Sequence, residues 1–171
     1  MTVWTLGHST RQIGDFLSVV KAHDIELIAD VRRFPGSRRL PQFEARALAA
    51  ALRRRRVEYR WLEALGGRRR PDPVSTNLGW RNPAFRAYAD HMASEEFANG
   101  LTELLMLAPG CRTAVMCAEV LWWRCHRRII ADVLVSLGVS VVHLRDASKG
   151  ELHQLVSPAR MVRGHLSYTR E

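Results

Sequence analysis

The sequence predicts a three-layer α/β domain with a mainly parallel sheet of about five strands. Three observations lead there. Short apolar runs alternate along the chain with stretches of helical period, the order that produces parallel strands joined by crossover helices. The apolar runs are nearly continuous, as they are in strands covered on both faces. The 171 residues also suffice for one domain that buries about two-thirds of its unfolded surface with no disulfide or metal staple.

The elements follow in order. VWTL (3–6) is a short apolar strand ending at Gly7-His8-Ser9-Thr10, and Ile13, Phe16, Leu17 and Val20 then recur at helical spacing. ELIADVR (26–32) reads as a buried second strand, followed by a loop with Pro35, Gly36 and Pro41. A helix is expected over 43–56, with Leu48, Ala51 and Leu52 on one face, and VEYRWL (57–62) alternates as a third strand. Residues 66–79 form a loop rich in Gly, Pro and Arg. Asn82-Pro83 opens a helical stretch that breaks near Ser94 and runs to about Leu107. TAVMCAE (113–119) is the fourth strand, 122–137 a helix closed by Gly138 as C-cap, and VSVVHL (139–144) the fifth strand. Residues 146–171 read as an irregular tail with a turn near Pro158, and all 171 residues are expected to form one domain.

Composition narrows the function classes. With 47% hydrophobic, 25% charged and 8% aromatic residues the chain is neither disordered nor fibrous. No apolar run approaches the roughly 18 residues of a membrane helix, so no membrane partner is expected. MTVWTLGHST lacks a basic segment followed by an apolar core, which leads us to expect a cytoplasmic protein. Its cysteines, Cys111, Cys117 and Cys125, are then reduced thiols. Against 17 acidic residues stand 26 basic ones, giving a net charge of +9. Only Lys21 and Lys149 are lysine, a preference for arginine that a GC-rich coding sequence accounts for. The net positive charge itself favours polyanionic or phosphorylated partners.

Ligands of parallel sheets bind outside the carboxyl ends of the strands. The first strand ends in His8, Ser9 and Thr10; the second in Asp30, Arg32 and Arg33; the fourth in Cys117 and Glu119; the fifth in His143 and Arg145. One such edge would be unremarkable, since strand ends are solvated, but four edges with ionisable side chains point to a site. The densest segment is MCAEVLWWRCHRR (116–128), where a helix start adds free N–H groups to Arg124, His126, Arg127 and Arg128. Trp122-Trp123 either caps the core or offers a stacking platform.

The cysteines have three readings. Five and seven residues separate Cys111, Cys117 and Cys125, a poor spacing for zinc, so neither a metal nor another cofactor is expected. Cys117, between strand and helix, is a candidate nucleophile, although Glu119 opposes thiolate formation. Cys125 fits a buried structural thiol. Among carboxylates, Asp30 in its apolar strand and Glu119 are candidates for activating water or stabilising a cation, while an Asp30–Arg32 pair fixing the following loop is an equal alternative. The runs 53–56 and 68–70 read as solvated arginine faces, the second beside Trp80 in a loop suited to a polyanion.

GHSTR, DVRRFPGSRR with its following PQF, YRWLEALGG, WRNPAFRAYADHM and MCAE…WRCHRRIIADVL together resemble the bacterial and archaeal family called domain of unknown function 488. The resemblance covers residues 6–143 in order, and its signature positions fall on His8, Ser9, Asp30, Arg32, Pro35, Ser37, Cys117, Glu119, Cys125, His126 and Arg127. It implies a Rossmann-like sandwich. It also carries an association with DNA modification and repair. The DVR strand and the later strand ending in Cys are similar to rhodanese domains too, but Glu119-Val120-Leu121-Trp122 is a bulky, acidic substitute for a rhodanese cradle.

The leading expectation is an enzyme acting on nucleic acid by N-glycosidic cleavage. Asp30, Glu119, His8 and Cys117 are its candidate catalytic residues. Ser9, Arg32, Ser37, Arg38, Arg39, His126 and Arg127 would bind phosphates and substrate, and Trp80, Trp122 or Trp123 would stack an extruded base. The alternatives are a thiol enzyme, with Cys117 as nucleophile, on a small anionic substrate, and a non-catalytic nucleic-acid-binding module.

Overall fold

The computed structural model describes residues 1–170. Its framework is a six-stranded sheet of β1 (Thr2–Gly7), β2 (Leu27–Asp30), β3 (Glu58–Trp61), β4 (Thr113–Cys117), β5 (Ser140–Leu144) and β6 (Glu151–Leu152). The strands lie in the order β3-β2-β4-β1-β5-β6, and all pairs are parallel except β5 with β6. The fold is a Rossmann-like three-layer α/β arrangement.

Helices α1 (Ile13–Ala22) and α2 (Ala45–Arg53) cover one face. Their Phe16, Leu17, Val20, Leu48 and Leu52 pack on Leu6, Ile28, Ala114, Met116 and Leu144. Helices α3 (Pro83–His91), α4 (Glu95–Leu107) and α5 (Arg127–Ser136) cover the other. There Tyr88, Phe97, Leu104, Ile129, Ile130 and Leu134 pack on Val3, Leu27, Ala29, Val115 and Val141. Successive strand residues thus serve opposite cores, which is why the strands read as continuous apolar runs.

The break near Ser94 is real: its hydroxyl accepts from the Phe97 N–H and caps α4, as the Asn82 side chain caps α3 from the Ala84 N–H. Gly138, at φ +80°, follows α5 in the left-handed conformation that its expected capping role requires.

Three expectations are corrected. The helix expected over 43–56 is shorter, because Phe43 closes a 3-10 turn (Pro41–Phe43) and Glu44 then caps α2 through the Arg46 and Ala47 N–H groups. The helix expected over 122–137 is divided: Trp122–Arg124 is a 3-10 turn, Cys125 is extended, and α5 starts at Arg127. The tail is not irregular throughout. It supplies β6 to the sheet and then pairs β7 (Arg160–Val162) with β8 (His165–Ser167), segments too short to show a period. Among the described residues no helix is long and apolar enough to cross a membrane.

Candidate functional site

Neighbouring strands β2 and β4 send their chains in opposite directions, β2 toward α2 and β4 toward α5. Such a divergence opens a crevice at the carboxyl ends of an open sheet. A cavity of about 390 Å³ lies there, lined by Arg32, Arg33 and Phe34 after β2 and by Cys117, Ala118, Glu119, Arg124, Cys125 and His126 after β4. Gly36, Gly67, Arg68, Ala84, Phe85 and Tyr88 contribute the remaining wall.

Pleat parity divides the candidate residues between the two faces. Asp30 shares parity with Ile28 and belongs to the α1–α2 side. It is fully buried and accepts from the Arg32 backbone N–H at 3.0 Å, Arg32 Nε at 2.9 Å, Arg32 Nη2 at 2.5 Å and the Tyr59 hydroxyl at 2.6 Å. Burial and the Asp30 charge push the Tyr59 hydroxyl up, which keeps it a donor. Arg32 also donates to the Phe43 carbonyl at 2.7 Å and meets His8 Nε2 at 3.2 Å. The His8 ring stacks on Phe43 with centroids 4.3 Å apart, and burial pulls its pKa down to about 4. His8 is therefore neutral, with Nδ1–H donating to the Ser9 carbonyl at 2.8 Å and Nε2 accepting from Arg32. Ser9 sits at φ 47°, and its N–H bonds the Ala118 carbonyl. This cluster anchors the loop after β2, and the Asp30 carboxylate and His8 Nε2 already accept from Arg32 and Tyr59.

On the α5 side the cavity holds the sulfurs. The Sγ atoms of Cys117 and Cys125 and a ring nitrogen of His126 lie within 4.8 Å of one another. Arg127, buried under the loop, donates from Nε to Cys125 Sγ at 3.4 Å, and from Nη2 to the carbonyls of Glu119 and Val120. His126 presents Nδ1 to Cys125 Sγ at 3.6 Å, while its Nε2–H donates to the Val31 carbonyl at 3.0 Å. Burial works against a charged Cys125, but the Cys117 thiol hydrogen, then His126 and Arg127, prevail and bring its pKa well down. The partnership with Cys125, aided by burial, sends Cys117 up, so the two sulfurs titrate as a coupled pair in which Cys125 is the better-held thiolate. The sequence offers Cys117 as a candidate nucleophile and reads Cys125 as a buried thiol; Cys125 is buried, and of the two sulfurs it is the one whose contacts favour the charged form.

The cavity wall is basic. Arg68 and Arg124 are exposed, Arg68 lying 6.0 Å over the ring of exposed Phe34, while Arg33 shares Glu96 with Arg69. Glu119 is an exposed part of the lining, with Oε1 accepting from the Leu121 N–H. Gly67 is required here, because a Cβ would stand 2.8 Å from His126 Nδ1.

Several candidates lie elsewhere. Trp80 is buried, stacked on Phe85 and covered by Arg128, so it is a core residue with no face for a base. Trp122 is buried, stacked on His143 at 4.2 Å, and only Trp123 of that pair is exposed. Ser37 accepts from the Leu40 N–H within its own turn, and Arg38 and Arg39 are exposed outside the cavity. Arg32 and Arg127 are committed to protein partners.

Arg68 belongs to the 68–70 run that the sequence suits to a polyanion, whereas Phe34 and Gly67 were not legible as parts of the cavity; the Gly66-Gly67 pair ahead of that run was the available signal. Sequence reasoning also missed a buried chain behind Trp122. Thr5 Oγ1 lies 2.7 Å from His143 Nδ1, His143 Nε2 is 2.9 Å from His153 Nδ1, and His153 Nε2 is 2.8 Å from Asp132 Oδ1. The Tyr168 hydroxyl completes it on Asp132 Oδ2 at 2.7 Å.

Comparison with known proteins returns one finding. The model of the family described as domain of unknown function DUF488 matches residues 12–134. No curated protein matches, and no solved structure matches.

Proposed function

The chain belongs to the DUF488 family, and on that premise we propose that it is a thiol-dependent enzyme acting on an anionic substrate. The family's name carries no activity, so the reading rests on the site. The observation that carries it is the pair of sulfurs, Cys117 and Cys125, in the wall of a basic cavity, with Arg127 donating to Cys125 Sγ. A thiolate held by a guanidinium is a nucleophile at neutral pH. Cys125 attacks the electrophilic atom of the bound anion, and the Cys117 S–H supplies the proton that leaves with the departing group. Arg68 and Arg124 hold the anionic part, and His126 fixes the position of Cys125. The thiols require a reducing compartment, which the cytoplasm supplies.

Alkylation tests this reading. Iodoacetamide at neutral pH should modify one cysteine of the pair about tenfold or more faster than free cysteine. Iodoacetate, being anionic, should gain further at low salt, and Cys125→Ser should abolish the fast phase. Alkylation at the pace of free cysteine ends the proposal.

A second reading has its own support in the Phe34 ring beside Arg68 and in the exposed Glu119 carboxylate of the same cavity. In it the partner is nucleic acid, a flipped base lies on Phe34, and Glu119 assists N-glycosidic cleavage. Fluorescence anisotropy with labelled DNA and RNA across a salt series reads it. Affinity falling linearly in log salt supports it, and no binding at low salt removes it.

A further inference from the structure

We infer that Cys117, Cys125 and His126 form a three-donor site for one Zn²⁺ ion, with the fourth coordination position open to the cavity. Occupancy of this site blocks the thiol chemistry, and only that regulatory consequence rests on the reading above; the binding itself does not.

The donor set is the first argument. Two thiolates and an imidazole within 4.8 Å of one another match what zinc takes, and three protein donors with one vacant position is the arrangement of a reactive zinc centre. The sequence spacing disfavours zinc because seven residues separate Cys117 from Cys125, but the turn over 118–124 folds the second sulfur back onto the first. Distance is the second argument. Tetrahedral bonds of about 2.3 Å to sulfur and about 2.0 Å to nitrogen separate those two ligand atoms by about 3.5 Å. Cys125 Sγ and His126 Nδ1 stand 3.6 Å apart.

The surroundings give the third argument. A metal-binding histidine usually donates its other ring N–H to a carbonyl, which fixes the tautomer and aims the lone pair. His126 Nε2 does this with the Val31 carbonyl at 3.0 Å, leaving Nδ1 turned to the sulfurs. Arg127 Nε, already 3.4 Å from Cys125 Sγ, becomes an N–H···S donor to the bound thiolate. Gly67 leaves the room that a Cβ would take from Nδ1. Charge agrees as well. Two thiolates neutralise Zn²⁺, so Arg68 and Arg124 face a neutral centre and favour an anion at the open position. On binding, Cys117 gives up its thiol proton to solvent, Cys125 binds as the thiolate, and no electron moves.

The test uses the full chain, kept reduced with a phosphine and stripped with a chelator that is then removed. Co²⁺ should bind with a stoichiometry of one and give thiolate-to-cobalt charge-transfer absorption with intense tetrahedral ligand-field bands. Zn²⁺ should displace it one for one. Cys117→Ser, Cys125→Ser and His126→Gln should each weaken binding by about tenfold or more, whereas Cys111→Ser should leave it unchanged. The spectrum of the unaltered protein needs no variant, so a variant that misfolds does not spoil the test. Absence of the charge-transfer band, or zinc affinity indifferent to all three substitutions, overturns the site. Zn²⁺ should also slow iodoacetamide at the pair by the fraction of sites filled. Metal binding to a protein whose metal-free thiols react slowly would leave the site standing and remove the thiol enzyme. Fast thiols with no metal binding would do the reverse.

Discussion

Asp30→Asn is the sharpest substitution at the scale of a residue. It leaves a buried guanidinium, Arg32, without its counter-charge, while the amide nitrogen turns a donor toward Arg32 or Tyr59. Loss of one partner from such a pair costs about 3–5 kcal/mol. A urea unfolding curve should therefore show a markedly lower midpoint with little change in slope, and alkylation of Cys125 in the folded fraction should keep its rate. A large change in that rate at unchanged stability would instead place Asp30 in the chemistry. Pairing of Asp30 with Arg32 was legible two residues apart in the sequence. Tyr59 was not, because it comes from β3, and register across strands is invisible without the fold. The contacts that favour a charged Cys125 were illegible for a related reason. Its burial was expected, but Arg127 Nε and the Cys117 sulfur reach it only through the turn at 118–124.

At the scale of elements, the turn over 66–67 sets the position of His126, a residue nearly sixty positions downstream. Gly67→Ala places a methyl 2.8 Å from His126 Nδ1. The ring must swing away from Cys125, or the loop must lift. Overpacking of this kind costs about 1–3 kcal/mol. The expected outcome is slower alkylation of Cys125 with the helical circular dichroism unchanged. Unchanged alkylation would show that His126 does not position the sulfur. Strand and helix order was readable because each strand serves two cores and stays apolar throughout, and Ser94 and Asn82 announced their helix starts. The distribution of candidates between faces was not read. Asp30 and Cys117 both end strands, yet pleat parity sends one to the α1–α2 side and the other to the α5 side. Residues 151–168 carry too few consecutive apolar residues to announce three short strands.

For the whole molecule, two buried histidines set the response to acid. Burial depresses His8 to about 4, and burial with the neighbouring His153 depresses His143 to about 2. Both rings take up a proton more readily unfolded, near pH 6.5, than folded. Stability from keeping them neutral is complete above about pH 6.5. It is lost as pH falls, down to about 4 for His8 and about 2 for His143. Thermal unfolding followed between pH 8 and pH 4 should show a Tm that starts to decline below about 6.5, and His8→Gln should shrink the decline. A flat profile would mean that these rings are accessible to protons in the folded state. The chain of bonds that holds His143 has a further consequence for how the protein can be shortened. Asp132 lies inside the stretch shared with the family, but both of its partners, His153 and Tyr168, lie beyond residue 134. A fragment trimmed to the shared stretch would strand a carboxylate, bereft of donors, on an apolar helix and strip β5 from the sheet beside it. Recombinant work should therefore retain Tyr168 at minimum, and a detachable tag is safer at the other terminus.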